Sequence, residues 1–414
     1  MEKGASFPAK FTQFLLANGV RLEDYAAETS LPRFFRINPR RVLTREDEAA
    51  IAVQVSSEAR RVAWLPAHLA FFSAPASSKL SGTNVFEDGS LFGIDVASAV
   101  AVHALSLQPN DHVLDLCCAP GAKMALIHDL QGHEPDTHGS VTGVDVSKAR
   151  IATCKSVLRK YKMSRFRLFD ADGALFNVHA PSRVGKWTRD TAISSDNHVR
   201  HLEDTTAKPA APDGSDSQDD ATHAHVNFKR KPDCDSTQRE LPEPAAPATP
   251  RKTDKVKPFL ATKMLLHDPQ LVSPALLYDR VLVDAECTHD GSIAHLKKCD
   301  DMGWDKFEAY FFDKERMDGL ETLQRNLLSN GFRLLKPGGI LVYSTCSFLR
   351  RQNEDIVNWF INQSEGSALL EAVPDADVFP VAPPLDEESR LMLRFSPSAS
   401  GTSGLFIARI RKVE

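Results

Sequence analysis

Short apolar segments alternate with helical segments through most of the chain, and this alternation constrains the fold more than any other feature. Five segments have the length and apolar composition of buried strands: VLDL (113–116), SVTGVDV (140–146), FRLFDADG (166–173), DRVLVDAE (279–286) and ILVYSTCS (340–347). Helical patterns such as KARIATCKSVLRKY and ETLQRNLLSNGFRLL lie between them. Strands that alternate with helices predict an open, doubly wound, mostly parallel α/β sheet with helices on both faces.

One long segment differs in composition from the rest of the chain. Residues 182–262 are polar and rich in Pro, Ala, Ser, Thr and Asp, which is the composition of a disordered insertion. A fold tolerates such an insertion between two elements that still pair, because loop-closure entropy grows slowly with loop length. We therefore predict one α/β domain from residues 86–181 and 263–414, preceded by a small α+β module, residues 1–85. Within the α/β domain, residues 390–412 have the pattern of two strands, which we expect to form a hairpin at the edge of the sheet.

The cysteines and the charge balance limit the class of protein. The seven cysteines are odd in number, include no Cys-x-x-Cys pair and follow no secretory signal, which favours free thiols in a reducing compartment. No segment approaches the roughly 20 apolar residues that a membrane span requires. We expect a soluble, intracellular monomer without a metal site, in the nucleus, the cytoplasm or the mitochondrion. The net charge of −5 restricts any nucleic-acid surface to a local patch.

Acidic and small residues follow three consecutive strands of the predicted sheet. The segment DLCCAPGAK (115–123) follows the first strand, Asp145 ends the second, and Asp170 and Asp172 end the third. Ligands of open α/β sheets bind beyond the carboxyl ends of the strands, where a carboxylate can accept both hydroxyls of a ribose. A single acid at a strand end is ordinarily a solvated cap, but three in register predict a nucleoside cofactor. The glycine spacing differs from the G-x-G-x-x-G of nicotinamide enzymes.

Two cysteines stand at the ends of the last two predicted strands. Cys287 follows Asp284 in DAECT, and Cys346 lies in STCS. A thiolate is the side chain suited to add to C6 of a cytosine, which then makes C5 nucleophilic enough to accept a methyl group. A buried, inert thiol is the ordinary alternative for either cysteine. The residues alone do not rank the two.

Eight segments together resemble a known family, the RNA cytosine-5 methyltransferases of the Sun, nucleolar-protein and RsmB-like group. They are FFRINPR, GSLFGIDVASAVAV, DLCCAPGAK, GVDVSKARI, DADG, DAECTHDGS, GFRLLKPGGILVYSTCSFLRRQNEDIV and GLFIARIRK, which cover nearly the whole chain outside the insertion. The Cys-Ala-Pro-Gly segment combined with the Thr-Cys-Ser segment is a specific signal. The resemblance implies a Rossmann-like class I methyltransferase that carries a methyl group from S-adenosylmethionine to C5 of cytosine in tRNA or rRNA.

The same resemblance implies roles for individual residues. Cys346 would attack C6, Cys287 would assist release of the methylated base, and Asp284 would hydrogen-bond that base. The cofactor would be held by Cys117, Cys118, Ala119, Pro120, Gly121, Lys123, Asp145, Asp172 and Asp284.

Candidates for contact with the RNA come from the positive charges. The candidates for phosphate contact are Arg33, Arg36 and Arg40, in an N-terminal cluster with Arg41 and Arg45, and Arg350 after the STCS segment. The alternative for each is an ordinary solvated surface residue. Phe34 and Phe35 could stack on a base, although core packing is the commoner role.

Three features depart from the pattern of the family. Glu286 stands where Pro is usual, Thr288 stands where Ser is usual, and Cys118 with Ala122 replaces the usual Ala and Gly. A carboxylate at position 286 predicts a raised pKa for the neighbouring Cys287 thiol and hence slower product release. Two other functions stay open: methyl transfer to a protein or a small molecule, and a non-catalytic RNA-binding or assembly role on the same fold.

Overall fold

The computed structural model describes residues 9–17, 31–41, 44–132, 137–181, 183–184, 258–262, 265–266, 276–292 and 304–413. Most of the predicted insertion, residues 182–262, lies outside the described residues, so its disorder stays a prediction.

A four-stranded antiparallel sheet lies in the N-terminal part of the chain, in the order β2-β3-β1-β4. The elements described there are α1 (Ala9–Ala17), β1 (Arg33–Ile37), α2 (Arg45–Val55), β2 (Arg60–Arg61), β3 (Phe71–Ala74), α3 (Asn84–Glu87) and β4 (Leu91–Gly93). The helix predicted around REDEAAIAVQV is α2, which begins with a capping box between Thr44 and Asp47. The described N-terminal residues thus contain both helices and strands, and β4 lies beyond residue 85, the predicted end of the module.

The central sheet has nine strands in the order β13-β15-β12-β11-β5-β6-β7-β9, with β14 also paired to β15. These strands are β5 (His112–Asp115), β6 (Ser140–Asp145), β7 (Phe166–Asp170), β9 (Leu260–Ala261), β11 (Tyr278–Asp284), β12 (Leu335–Thr345), β13 (Ala368–Glu371), β14 (Leu393–Phe395) and β15 (Leu405–Lys412). Two further short strands, β8 (Arg183–Val184) and β10 (Leu265–Leu266), pair with each other. The five strands from β12 to β7 in this order run parallel, which confirms the predicted doubly wound fold.

Helices cover both faces of the central sheet. They are α4 (Val96–His103), α5 (Ala122–Leu130), α6 (Lys148–Lys160), α7 (Trp304–Phe311), α8 (Lys314–Leu334), α9 (Glu354–Gln363) and α10 (Pro397–Ser400). Apolar residues of α4, α5 and α6 fill one core cluster, and those of α8 and α9 fill another on the opposite face. The parallel strands are therefore buried on both sides, as their continuous apolar composition predicts.

The chain reverses the direction in which it adds strands between β5 and β11. Strands β6 and β7 follow β5 on one side, whereas β11 and β12 lie on its other side. Loops beyond the carboxyl ends of β5 and β11 diverge at this point and leave a crevice for a ligand. The two strand ends that border the crevice are Asp115 and Asp284.

The segment Lys336 to Gly339 lies inside β12, where the register with β11 shifts and Gly338 has a φ of +74°. One sequence-based expectation about strands needs correction. The C-terminal strands do form a hairpin, β14 with β15. However, β15 is not at the edge, because it pairs antiparallel with β12 on one side and with β13 on the other.

Candidate active site

A cavity of about 590 Å³ lies at the crevice between β5 and β11. Its lining includes most of the predicted site residues, namely Cys117, Ala119, Lys123, Asp145, Asp172, Asp284 and Cys346. These residues come from both sides of the insertion, so the fold brings together what the sequence separates. Asp170, the alternative to Asp172, is exposed and is absent from the lining of this cavity.

Asp145 occupies the end of β6 and is buried, with 3% of its surface exposed. Its Oδ1 accepts a hydrogen bond from the Ser147 N–H at 3.0 Å. Its Oδ2 lies 3.3 Å from Nη2 of Arg150 but accepts no hydrogen bond from any described residue. A buried carboxylate oxygen without a hydrogen bond costs free energy, and a ligand hydroxyl would satisfy it.

The segment from Cys117 to Gly121 forms a tight turn between β5 and α5. Gly121 begins the helix with a φ of +102°, and a Cβ there would lie 2.8 Å from Sγ of Cys154. Cys118 points into the core, where its hydrogen bond with Cys154 and its burial raise the pKa of its thiol. Cys118 is absent from the lining of the cavity, but Cys118 and Pro120 both line a smaller adjoining pocket of about 60 Å³.

A chain of polar contacts crosses the crevice. Lys123 Nζ donates to Asp284 Oδ2 at 2.7 Å, and Ser344 Oγ donates to Asp284 Oδ1 at 2.7 Å. Burial lowers the pKa of Lys123, but the charge of Asp284 and the hydrogen bond to it outweigh burial and leave that pKa above its ordinary value. Burial, with the nearby Asp284 carboxylate, raises the pKa of Asp115 to about 7. Asp284 is thus held from both sides by hydrogen-bond donors.

The two cysteines at the strand ends lie side by side. Their Sγ atoms are 3.4 Å apart, with Cys346 lining the cavity and Cys287 buried behind it. Burial, then the hydrogen bond to Cys346, raises the pKa of Cys287 well above the ordinary value of a thiol. The hydrogen bond with Cys287 and the neighbouring His289 lower the pKa of Cys346 to about 6, against the effect of burial. The thiol that faces the cavity therefore loses its proton more readily than the thiol behind it.

His289 was not among the predicted site residues. Its Nδ1 lies 2.9 Å from Sγ of Cys346 and 3.7 Å from Sγ of Cys287. The hydrogen bond with Cys346 raises the pKa of His289 despite the opposing effect of burial. The DAECTHDGS segment contains this histidine, but a loop residue beyond a strand has no fixed direction in a sequence pattern.

Glu286 is exposed and lines the cavity. The expected increase in the pKa of Cys287 is present, but its causes are burial and Cys346 rather than Glu286. The Glu286 charge instead contributes to the raised pKa of His289. The expected effect of this carboxylate on the release cysteine therefore needs correction.

Cys287, His289 and Cys346 form one cluster, because the two thiol sulfurs and an imidazole nitrogen lie within 4.8 Å of one another.

Comparisons with known proteins identify the family of this chain. The family model described as 16S rRNA methyltransferase RsmB/F matches residues 102–188 and 259–411, which is more than half of the chain. The chain belongs to this family. The predicted resemblance is confirmed, because the RsmB/F family falls within the group that the eight segments resemble.

Individual relatives cover shorter parts of the chain. The ribosomal RNA small subunit methyltransferase F of Shewanella amazonensis is 32% identical over 135 residues, which are 32% of this chain and 26% of the relative. The protein of that name from Salmonella paratyphi A is 33% identical over 158 residues, 37% of this chain and 30% of the relative. This RsmB/F family chain thus matches less than a third of the length of either relative.

A solved structure supports the fold of this RsmB/F family member. A methyltransferase homolog protein from Pyrococcus horikoshii superposes with a TM-score of 0.57 at 20% identity, covering 98% of this chain and all of that one. The class I methyltransferase fold is therefore confirmed. Among the described residues, no helix has both the length and the apolar character needed to cross a membrane.

The predicted RNA-contacting arginines have different environments in this RsmB/F family chain. Arg33 is exposed. Arg36 is only 2% exposed, forms an ion pair with Asp129 and lies 4.0 Å from the ring centre of Phe92. Its guanidinium holds the N-terminal sheet against α5, so Arg36 is a structural residue and not an exposed phosphate contact.

The other two arginines are also engaged. Arg40 is partly buried, donates to the Lys162 carbonyl at 3.2 Å and lies near Asp129. Arg350 forms ion pairs with Asp355 and Asp386, which raise its pKa. An RNA phosphate would compete with two carboxylates for Arg350. Phe35 stacks on Phe72 in the core with no exposed surface, as the core alternative predicted.

Sequence reasoning also missed cavity residues that lie outside the strand ends. Asp95 caps α4 through the Ala97 N–H and accepts a hydrogen bond from the Ser403 N–H at 3.3 Å. Both Asp95 and Ser403 line the cavity. Asp before VASAVAV is a recognisable helix cap, but its position at the cavity depends on a contact with a segment about 300 residues away.

Proposed function

We propose that this chain transfers a methyl group from S-adenosylmethionine to C5 of a cytosine in tRNA or rRNA, with Cys346 as the nucleophile. The position of Cys346 carries the proposal: its thiol lines the cavity, and its pKa is lowered to about 6. The lowered pKa favours the thiolate, which is the form that addition to a pyrimidine ring requires.

The cavity residues fit the proposed cofactor. The unsatisfied Oδ2 of Asp145 suits a ribose hydroxyl, and the Asp172 carboxylate, two residues after the end of β7, suits the adenine amino group. The N-terminus of α5, after the turn at Gly121, favours the methionine carboxylate. When bound, S-adenosylmethionine supplies an electrophilic methyl group.

The protein's own residues activate and then release the base. The Cys346 thiolate forms a bond from Sγ to C6, and the electron pair of the C5–C6 double bond moves towards C5. Asp284, held by Lys123 and Ser344, hydrogen-bonds the base and stabilises charge at its ring nitrogen. After C5 has gained the methyl group, loss of the C5 proton re-forms the C5–C6 double bond, and the Sγ–C6 bond breaks with its electron pair on sulfur, so that Cys346 leaves as a thiolate.

Cys287 has the properties expected of the residue that assists this release. Part of its raised pKa comes from the hydrogen bond and charge of Cys346. Once Cys346 is bonded to C6, that charge is gone, so the Cys287 thiol gives up its proton to solvent water more easily. The Cys287 thiolate formed in this way can take the proton from C5.

The RNA partner requires an accessible cytosine and a positive surface. A cytosine must leave its stack to reach Cys346, so a loop, bulge or junction is the preferred target. Helix α6 carries five basic and no acidic residues, and its C-terminal end packs against the N-terminal module. We propose that α6, with the exposed Arg33 of that module, contacts RNA phosphates.

The test of this function uses the Cys287→Ala variant. We expect the purified variant, given total cellular RNA and S-adenosylmethionine, to accumulate an RNA adduct that resists denaturant, because the release step is blocked. The double variant Cys287→Ala with Cys346→Ala should form no adduct. Sequencing the trapped RNA then identifies the substrate and the cytosine.

A matched control replaces a cysteine outside the cavity. Cys154 is fully buried in the core, and Cys154→Ala should leave turnover in place without an adduct. If Cys287→Ala binds S-adenosylmethionine but traps no RNA from any fraction, the cytosine-5 proposal is wrong. Methyl transfer that is equal in the wild type and in Cys346→Ala would instead indicate a protein or small-molecule acceptor.

A further inference from the structure

We infer that His289 is a catalytic base that takes the thiol proton of Cys346. The imidazolium then holds the Cys346 thiolate as an ion pair until the thiolate adds to the cytosine. This inference rests on the proposed role of Cys346 and assigns that cysteine a partner. The transfer is balanced: the proton leaves Sγ of Cys346 and joins Nδ1 of His289, so the pair changes from neutral groups to thiolate and imidazolium without a change in net charge.

The backbone at His289 is held in an unusual conformation. Its φ is +58°, in the left-handed region that residues with a side chain seldom adopt. Such a conformation costs free energy and persists only where the surrounding structure enforces it. The conformation directs the imidazole at Cys346, with Nδ1 2.9 Å from Sγ.

The neighbours of His289 provide that enforcement. Asp290 accepts hydrogen bonds from the Ser347 hydroxyl at 2.7 Å and from the Phe348 N–H at 2.8 Å. Gly291 donates its N–H to the carbonyl of Cys346 itself at 2.9 Å. The histidine loop is thus joined to the nucleophile and to the two residues that follow it.

Close contact between the backbones at Gly291 and Cys346 further fixes the distance between His289 and Cys346. A Cβ at Gly291 would lie 2.7 Å from the carbonyl oxygen of Cys346, so only glycine allows this approach. The Thr288 N–H donates to Gln352 Oε1 at 3.1 Å on the other side of the histidine. The short distance between Nδ1 and Sγ is therefore a result of a braced loop.

The charged and titratable groups around the pair favour the ionic form. His289 faces Glu286 and Asp290 on its own loop, and both carboxylates raise its pKa. Cys346 faces Cys287, which donates to it, as well as Lys123 from α5 and Asp284 from β11. The hydrogen bond with Cys287 lowers the pKa of Cys346 more than any other contact does. Of the two neighbours Cys287 and His289, however, only His289 becomes positively charged when it takes a proton.

The experiment follows the alkylation of Cys346 by iodoacetamide as a function of pH, without RNA and with a chelator present. Mass spectrometry assigns the modified cysteine. In the wild type the rate should rise with pH to half its maximum near pH 6. In His289→Asn the midpoint should move up by about 1 to 3 pH units, because a nearby opposite charge is lost. Asn tolerates the left-handed conformation.

Two controls separate the proton transfer from a general effect of substitution. His138 is exposed and outside the cavity, and His138→Asn should leave the midpoint unchanged. His289→Gly also fits the positive φ, and added imidazole should restore fast alkylation in it. In the wild-type protein, alkylation of Cys346 should lower the pKa of the His289 ring in an NMR titration, because the neighbouring thiolate is removed.

The outcomes separate this inference from the proposed function. An unchanged alkylation midpoint in His289→Asn, or an unchanged His289 titration after alkylation, would overturn the role of His289 even if Cys287→Ala traps RNA. A shifted midpoint without any RNA adduct would support the cysteine and histidine pair and reject the cytosine substrate.

Discussion

The two carboxylate oxygens of Asp145 have different tasks. Oδ1 caps the turn into α6 through the Ser147 N–H, whereas the buried Oδ2 accepts no hydrogen bond from the described residues and lies near Arg150. The first contact supports the backbone, and the second oxygen is free for a ligand at the cavity. Asp145 is therefore the residue at which cofactor binding can be tested most directly.

We expect Asp145→Ala to weaken S-adenosylmethionine binding by about 10- to 100-fold, since a hydrogen bond to a charged group contributes about 1.5 to 3 kcal/mol. Isothermal titration calorimetry measures the change. Asp170→Ala is the matched control, because Asp170 ends the neighbouring strand but is exposed and outside the lining of the cavity. Equal losses in both variants would contradict the assignment of Asp145.

The rule that ligands bind beyond the carboxyl ends of parallel strands explains which site residues the sequence could predict. Asp145 and Asp284 end parallel strands, and the edge of the sheet fixes where such residues meet. Cys346 follows directly after β12 and is placed by the same rule. His289 and Asp95 lie in loops, where direction depends on contacts such as those of Asp290 and Ser403 rather than on periodicity. Those contacts join residues distant in the chain, so no local pattern contains them.

At the scale of elements, the attachment of the N-terminal sheet depends on a buried ion pair. Arg36 on β1 pairs with Asp129 at the end of α5, and the Phe92 ring of β4 stacks on Tyr161. Removing one partner of a buried pair leaves an uncompensated charge, which is strongly destabilising. The pair therefore links the module to the catalytic fold.

We expect Arg36→Ala to lower the free energy of unfolding by about 3 kcal/mol, with chemical denaturation as the measurement. Arg33→Ala on the same strand should change stability by less than about 0.5 kcal/mol. The Arg33→Ala variant should instead weaken RNA binding, and the salt dependence of its RNA affinity should fall by the amount expected for about one phosphate contact. If Arg36→Ala kept full stability but lost RNA affinity, Arg36 would be a phosphate contact after all.

Strand identity was easier to predict than strand pairing. Alternation with helices located β5, β6, β7, β11 and β12, because each buried strand is a local apolar run. The sequence did not predict the interior position of β15. This strand pairs with β12 along one edge and with β13 along the other, and both pairings depend on contacts between distant segments. A hairpin pattern identifies one neighbour of a strand and says nothing about the other.

At the scale of the whole molecule, the cavity is built from segments on both sides of the insertion. Asp145 and Asp172 come before it, whereas Asp284 and Cys346 come after it. The sheet can join them because β11 pairs with β5 rather than with β7, the strand that precedes the insertion. In the described part of the sheet, β7 and β9 lie beyond β6, on the side of β5 opposite to β11.

We predict that replacing residues 187–255 with a short Gly/Ser linker preserves folding, S-adenosylmethionine affinity and adduct trapping by Cys287→Ala. The flanking strands β8 and β10 pair antiparallel, so the chain returns next to the point where it leaves, and each halving of loop length changes closure by only about 0.6 kcal/mol. Thermal melting and calorimetry make the measurement, and a longer deletion that also removes β8 and β10 should be less stable. Loss of cofactor binding in the shorter deletion would make the insertion part of the catalytic domain, whereas loss of RNA affinity alone would assign it a substrate contact.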